Sequence, residues 1–465
     1  MNNKLNFYIL PKQDNGYYQW ILKYAIEIIG LIPIQHDHVS EETHLVYGEC
    51  DSLVNPDTIL IPHNASDLLN ESILNGDSND KILKTFDIIT AIGKFLTDVV
   101  NENNGDHCYD THNRLNALDS YQREIGFQDK PIVNLYINFL KKILEKRFKF
   151  NYAPLFPDGI KSVVILSHDV DNPEKYAILK PYKLFPKHLS FKNLIFHHLE
   201  AVKKTAERLI KQDKNTNWVF KEVMDSESKY GFSSTFFFAA RNKYDKHANY
   251  KKDVPYDIEK EAFSSVFKMM NDRGFEIGLH TSYFAKNDKD LLKEEKEKLE
   301  RLSNKKLIGN RHHFWQIGKN PEQTLKAHVY AGLIYDSSLA FNDAPGYRRN
   351  VALPYFLFDK ESNQTINNMQ IPTFMMDSNF MSNPEFGQDE AFDQAKHYID
   401  ELHKIGGVAA IDWHVRTACE KNSRFKKWGV TYLQILEHLS QQEGMWVTNF
   451  ETFYNWIVKR KETLT

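Results

Sequence analysis

VVIL (163–166) runs directly into Ser167-His168-Asp169-Val170-Asp171, an apolar run that ends in ionisable residues. An uninterrupted run of this length reads as a buried strand. Where a chain stays extended, alternate side chains leave the same face, so Asp169 and Asp171 project together. Paired carboxylates there can share a cation, or one can hold a metal while the other activates water. Taken alone, Asp-x-Asp is more often a turn closed by Asx hydrogen bonds. The sequence around it weighs between the two readings.

Similar runs recur downstream at STFFFA (234–239), FEIGL (275–279), KLIG (306–309), LIY (333–335), MQIPTFMM (369–376), GVAAI (407–411) and MWVT (445–448). Most are separated by roughly 25 to 40 residues with helical patterns, the spacing of repeated βα units. KDLLKEEKEKLERL (289–302), with Leu292, Leu299 and Leu302 along one side, is the clearest such helix. Polar groups follow the runs: His280 after FEIGL, Asn310-Arg311-His312-His313 after KLIG and Asp336 after LIY. Asp377 follows MQIPTFMM, and Asp412-Trp413-His414 follows GVAAI. Barrels of alternating strands and helices place their active sites at these C-terminal strand ends. The expected fold class is therefore α/β, a deformed (β/α) barrel of seven or eight strands.

A smaller mixed α/β domain should precede it. LNFYIL (5–10), HLVYGE (44–49) and TILIPH (58–63) read as strands, and 16–30 and 137–148 as helices. FNYAPLFPDGIKS (150–162), with two prolines and a glycine, marks the boundary, giving units 1–152 and 153–465. His36 and His38 flank Asp37 in QHDH; without a third convergent ligand the stretch reads as a loop.

The net charge of −3 gives no whole-chain bias towards nucleic acid or an acidic membrane. Cys50, Cys108 and Cys419 form neither a disulfide framework nor a thiolate zinc site, which favours a reducing compartment. MNNKLNFYIL lacks a leader pattern and no apolar run approaches about 18 residues, so a cytoplasmic location is expected. Residues 175–214 carry ten Lys/Arg against three Asp/Glu, interleaved with Leu and Phe. A helical excursion with a solvated basic face is the preferred reading; a lid or a weak membrane-surface contact is the other.

Neutral imidazole with carboxylate is an ordinary ligand set for zinc or a related divalent ion. His280, His313 and His414 hold equivalent strand-end positions. Arg311 can grip a carboxylate in a bidentate pair. Asp336 opens DSS and suits either chemistry or a helix cap.

With these residues in view, the chain from about 160 to 455 resembles the polysaccharide deacetylase superfamily, carbohydrate esterase family four in the broad sense. SHDVD, GLHTSY, GNRHHFWQ, YDSSLAFNDAPGYR and IDWH resemble its five motifs in order. The resemblance implies Asp169 as general base, Asp171 and His280 as metal ligands, Arg311 as the group orienting the base, and His414 as general acid. Asp336, in the fourth motif region, joins the catalytic candidates. The second motif usually carries a further histidine where this chain has Phe284; His313 is the first substitute and His312 the second, since alternation sends only one of them inwards. Tyr283, Trp315, Trp413 and Arg348 are candidates for substrate contact, with Phe314 beside them, although core packing also explains such aromatics.

The implied activity is metal-dependent removal of an N- or O-linked acetyl group from a saccharide or saccharide precursor, with zinc the first choice of ion. The alternatives are a catalytically impaired saccharide-binding module and an amidohydrolase acting on a non-sugar C–N bond.

Overall fold

In the computed structural model, β1 (Lys4–Ile9), β2 (Ile32–His36), β3 (Leu45–Tyr47) and β4 (Ile59–Ile61) form a parallel sheet in the order β2-β1-β3-β4. The description covers residues 3–10, 16–49, 55–64, 67–102, 105–173, 193, 217–383 and 386–464. Parallel neighbours need a crossover. Helix Gly16–Ile29 supplies it between β1 and β2, burying Ile21, Ala25 and Ile29. QHDH is only half a loop: Gln35 and His36 belong to β2, paired with Phe7 and Tyr8.

The larger sheet contains β5 (Ser162–Val170), β6 (Thr235–Phe238), β7 (Glu276–Thr281), β8 (Gly309–His312) and β9 (Tyr335–Asp336). It continues with β10 (Tyr355–Asp359), β11 (Gln364–Gln370), β12 (Thr373–Met376), β13 (Gly407–Asp412) and β14 (Met445–Thr448). Strands β5 to β9 pair in parallel, each with the next. β11 pairs parallel to β9, and β12 parallel to β13, which returns to β5. Only Ile371 and Pro372 separate β11 from β12. The Ile371 N–H donates to the Asp336 carbonyl at 3.0 Å, and the Pro372 carbonyl accepts from Ala410 at 2.7 Å. One bent run thus joins the two flanks of the curled sheet, giving a deformed α/β barrel. The proline has no N–H to lend the ladder, and the bend falls there. MQIPTFMM is therefore two strands, and MWVT lies off the main path, pairing with β5 alone.

Alternation sorts the side chains. Val163, Ile165, Phe237, Tyr335, Met369, Ile371, Val408 and Ala410 fill the barrel interior with Phe450 and Phe453. Val164, Leu166, Phe236, Phe238, Ile277, Leu279, Ala409 and Ile411 belong to the cluster under the surrounding helices. Each such fully buried side chain stabilises by about 1.5–3 kcal/mol, so a one-residue slip in register would be ruinous. Gly309 is demanded by this packing: a Cβ there would sit 1.8 Å from the Tyr335 ring, whose hydroxyl donates to Glu276 at 2.5 Å on the barrel floor.

The two sheets lie on either side of residue 152, yet a single apolar cluster joins them. Ile132, Tyr136 and Leu140 from helix Ile132–Arg147 share it with Leu325, Val351, Leu353, Leu357 and Ile366. Asn134 adds hydrogen bonds to the Ala352 and Gly406 carbonyls. Cys108 and Cys419 are buried free thiols. Among the described residues no helix is long and apolar enough to cross a membrane. The basic stretch 175–214, residue 193 apart, lies outside the described residues.

Candidate metal centre and catalytic residues

The same alternation that sends Val163 and Ile165 inwards carries Ser167, Asp169 and Asp171 up the inner face of β5 and just past its end. β7 contributes His280, β8 contributes Arg311, and β13 contributes Asp412. His313 and His414 stand one or two residues past the ends of β8 and β13. The C-terminal mouth of the barrel is therefore lined by carboxylates, imidazoles and the Arg311 guanidinium.

Asp171, His280 and His313 offer ligand atoms within 4.8 Å of one another. His280 Nε2 lies 3.5 Å and His313 Nε2 3.4 Å from Asp171 Oδ1. A tetrahedral ion with bonds of about 2.0–2.1 Å would space its ligands by about 3.3–3.4 Å. Asp171 Oδ1 and His280 Nε2 are buried and lack a hydrogen-bond partner among the described residues. Orphaned polar atoms that converge in this way fit a bound cation. The outer shell is also in place. His280 Nδ1 donates to the Arg311 carbonyl at 2.8 Å, which leaves Nε2 as the lone-pair atom. His313 Nδ1 faces Asp253 at 3.9 Å, and Asp253 is itself fixed by the N–H groups of Tyr283 and Asn249.

Electrostatics agree with this placement. Desolvation would lift the Asp171 carboxyl, but His414, His280 and His313 outweigh it and hold it well below the usual carboxylate range. Desolvation would likewise lower His313, but Asp171 and Asp253 push it up to about 9. A bound cation would replace that proton as counter-charge. A second group, Asp169, Asp412 and His414, also lies within 4.8 Å. Arg311 Nη1 stands 3.2 Å from both Asp169 and Asp412, so a cation between those carboxylates would meet a fixed positive charge.

Arg311 is wholly buried and held on every side. It donates to Ser337 Oγ at 3.0 Å and to Asp169 Oδ1 at 3.2 Å, and stacks on Phe237. Asp169 is thereby aimed, with its Oδ2 3.8 Å from His280 Nε2 beside the ligand set. Burial, and then the Asp169 carboxylate, raise the Asp412 carboxyl well above its ordinary value. Just past the end of the neighbouring β13, His414 Nδ1 bonds to Asp377 Oδ1 at 2.7 Å, and His414 Nε2 lies 3.0 Å from Asp171 Oδ2. Desolvation would lower the His414 pKa, but Asp377 and Asp171 raise it well above the ordinary imidazole range. Arg416 donates to the same Asp171 oxygen at 3.0 Å.

Several sequence candidates fall elsewhere. Asp336 points to the outer face, where it accepts from Asn310, Ser338 N and Ser338 Oγ beneath helix Pro321–Tyr330. It is a buried acid engaged in that network, away from the mouth. His312 points the same way and bonds to His328. Trp413 is fully buried, stacked on Tyr432, and presents no face to a sugar. Trp315 is buried against Ala340 and Met376. Arg348 is buried 3.6 Å from Asp98 and does not line the mouth. Tyr283 is half-buried at the rim with its hydroxyl bonded to His112 at 2.8 Å, and Phe284 is 48% exposed. Asp377, Asp412, Arg416 and Asp253 were not chosen from sequence as site residues. The signal for the first two was their place directly after or at the end of an apolar run; Arg416 sits in the short 3-10 turn Val415–Thr417 and Asp253 on a loop, where periodicity gives no direction.

The turn that presents His313 is unusual. Phe314 (φ 59°) and Trp315 (φ 50°) both occupy the left-handed region, which costs about 1–2 kcal/mol per non-glycine residue.

No protein-family model matches the chain, and no curated protein matches it. Among solved structures it is similar to a chain assigned as a polysaccharide deacetylase from Mycobacterium smegmatis, at 14% identity and a TM-score of 0.45, covering 67% of this chain and 94% of that one. It is also similar to the peptidoglycan deacetylase PdaC from Bacillus subtilis, at 13% identity and a TM-score of 0.31, covering 66% and 96%. A 4-alpha-glucanotransferase from Thermococcus litoralis gives 12% identity and 0.37, covering 63% and 40%. The chemistry below is drawn from this chain's own residues.

Proposed function

We propose that the protein is a metal-dependent hydrolase that removes an acetyl group from a saccharide or saccharide precursor. The observation that carries this reading is the convergence of Asp171 Oδ1, His280 Nε2 and His313 Nε2 between an aimed carboxylate, Asp169, and a charged imidazole, His414. A bound divalent ion, with zinc the first choice for this donor set, would polarise the acyl oxygen and lower the pKa of water at the site. Asp169, held by Arg311, takes the proton of the attacking water. His414, kept protonated by Asp377, gives its proton to the leaving amine or alcohol. A carboxylate base and an imidazole acid at the ends of the neighbouring strands β5 and β13 supply the two proton transfers that a hydrolytic step requires.

Phe284, in place of the further histidine that the resemblance implies, is what the non-catalytic alternative rests on. His313, 3.4 Å from Asp171, supplies a third ligand without the residue Phe284 replaces, and this supports the enzyme reading. The test is acetate release from a panel of N- and O-acetylated sugars by zinc-loaded protein, with Asp169→Asn alongside. The reading predicts acetate from at least one substrate and its loss in Asp169→Asn. Release of ammonia or another carboxylate would turn it towards a non-sugar amide.

A further inference from the structure

The segment Cys108–Ala117 comes from the part of the chain that precedes the barrel, yet its turn closes on the strained turn after His313. Asp110 folds the tip by accepting from His112 N and Arg114 N, an Asx-type closure, and Asn113 (φ 57°) takes the left-handed position that asparagine tolerates. Arg114 then reaches across 200 residues of sequence to donate to the Phe314 carbonyl at 3.1 Å. The same guanidinium donates to Asn342 Oδ1 at 2.6 Å and is braced by Asp110 at 2.8 Å. His112 packs on the Phe314 ring (4.8 Å between centroids), bonds to Tyr283, and lies 3.3 Å from Lys252, whose ammonium also sits over that ring. The Phe314 ring in turn lies 4.7 Å from the His313 ring. Ala117 N is anchored on the Asp343 carboxylate, and Cys108, Leu115 and Ala117 pack with Phe341.

We infer that Arg114 and His112 are positioning residues of the metal centre, clamping the His313-Phe314-Trp315 turn so that His313 can serve as the third ligand. The inference rests on the metal-dependent reading above. A ligand followed directly by two consecutive left-handed residues needs support from outside its own strand, because such conformations persist only where surrounding structure over-determines them. Arg114 supplies that support by holding the carbonyl between the two strained residues. The ligand that stands in for the one lost at Phe284 thus depends on a segment about 200 residues upstream. The region before the barrel is on this view a working part of the site.

Cobalt(II) titration of the full chain, read by visible absorption, tests this with wild type, His313→Ala, Arg114→Leu and Tyr136→Phe. Tyr136→Phe removes the hydroxyl bond to the Leu68 carbonyl and controls for general loosening of the upstream region. Arg114→Leu should bind cobalt roughly 10–100-fold more weakly than wild type, the usual range for loss of an outer-shell partner. Its spectrum should move towards that of His313→Ala, while Tyr136→Phe keeps the wild-type affinity and spectrum. Wild-type affinity and spectrum in Arg114→Leu would overturn the clamp and leave the metal reading standing, as would equal weakening in Tyr136→Phe. A wild type that takes up no cobalt would remove the metal reading and the clamp with it. Should Arg114→Leu not fold, Arg114→Lys, which keeps the charge and loses the fork, is read by the same criteria.

Discussion

Two histidines adjacent in sequence, His312 and His313, stand back to back at the end of β8 and have opposite fates. His313 faces the mouth between Asp171 and Asp253, which push its pKa up to about 9. His312 faces the helix layer, where its Nε2 meets His328 Nε2 at 2.7 Å. Desolvation first, and then His328, hold His312 well below its ordinary value. Each pair has its nearest acid too: Asp171 inside, and outside Asp336, 3.9 Å from His328. Residue type is therefore no guide to which cluster is chemical. What differs is how charge is placed: the inner group sets Asp171 and Asp253 beside His313 and raises it, whereas the outer group sets imidazole against imidazole, with Asp336 engaged by Asn310 and Ser338, and ties β8 and β9 to a helix.

The sharpest way to break this contrast is to change the inner face chemically without changing its shape. Asp169→Asn should lower acetate release by roughly 10³–10⁴-fold, within the range a general base supplies at its upper end, with metal content intact. Loss of metal in that variant would instead make Asp169 a ligand. Asp377→Asn should cost about 10²-fold and carry a pH signature. Asp377 raises the pKa of His414, which acts when protonated, so activity falls as pH rises through that pKa. Removing Asp377 lowers the pKa and should move the basic limb of the rate profile to lower pH; an unmoved limb would take His414 out of the acid role.

The outer face should respond in stability and not in chemistry. His312→Ala leaves the buried His328 Nε2 with only the longer 3.4 Å contact from Asn310 and should cost about 1–3 kcal/mol by denaturant melt, with kcat retained in the folded protein. An effect visible only in the pH dependence of stability sits on the barrel floor. Glu276 is raised from 4.5 to about 7, chiefly by burial, and accepts from Thr235 and Tyr335. A carboxyl whose folded pKa is the higher one binds more protons folded than unfolded. Its contribution is therefore lost as pH rises from about 4.5 through 7. Glu276→Gln should flatten that part of the stability–pH curve, with a relative gain of up to about 2–3 kcal/mol at pH 8. An unchanged slope would mean that the floor is charged throughout.

Much of the inner cluster could be read from the chain because strands alternate and active sites gather at their C-terminal ends. Asp169, Asp171, His280, Arg311, His313 and His414 all follow that rule. Asp336 shows where it fails: β9 is only two residues long, too short for an apolar pattern to reveal which face its aspartate takes. Trp413 errs in the other direction, since a residue between inward Asp412 and His414 must point outwards, into the Tyr432 layer. The fold class was legible from recurring runs, but the closure at Ile371-Pro372 was hidden inside what reads as one strand. Arg114 and His112 were illegible altogether. Their partners lie 200 and 171 residues away, and no local pattern marks a surface turn that is to meet a distant one.

The most direct test of the central claim is zinc content by elemental analysis of the wild type, His313→Ala and His312→Ala after equilibration with excess zinc and desalting. About one ion per chain is expected in the wild type and in His312→Ala, and little in His313→Ala. An ion retained equally in all three proteins, or absent from all three, would contradict the account.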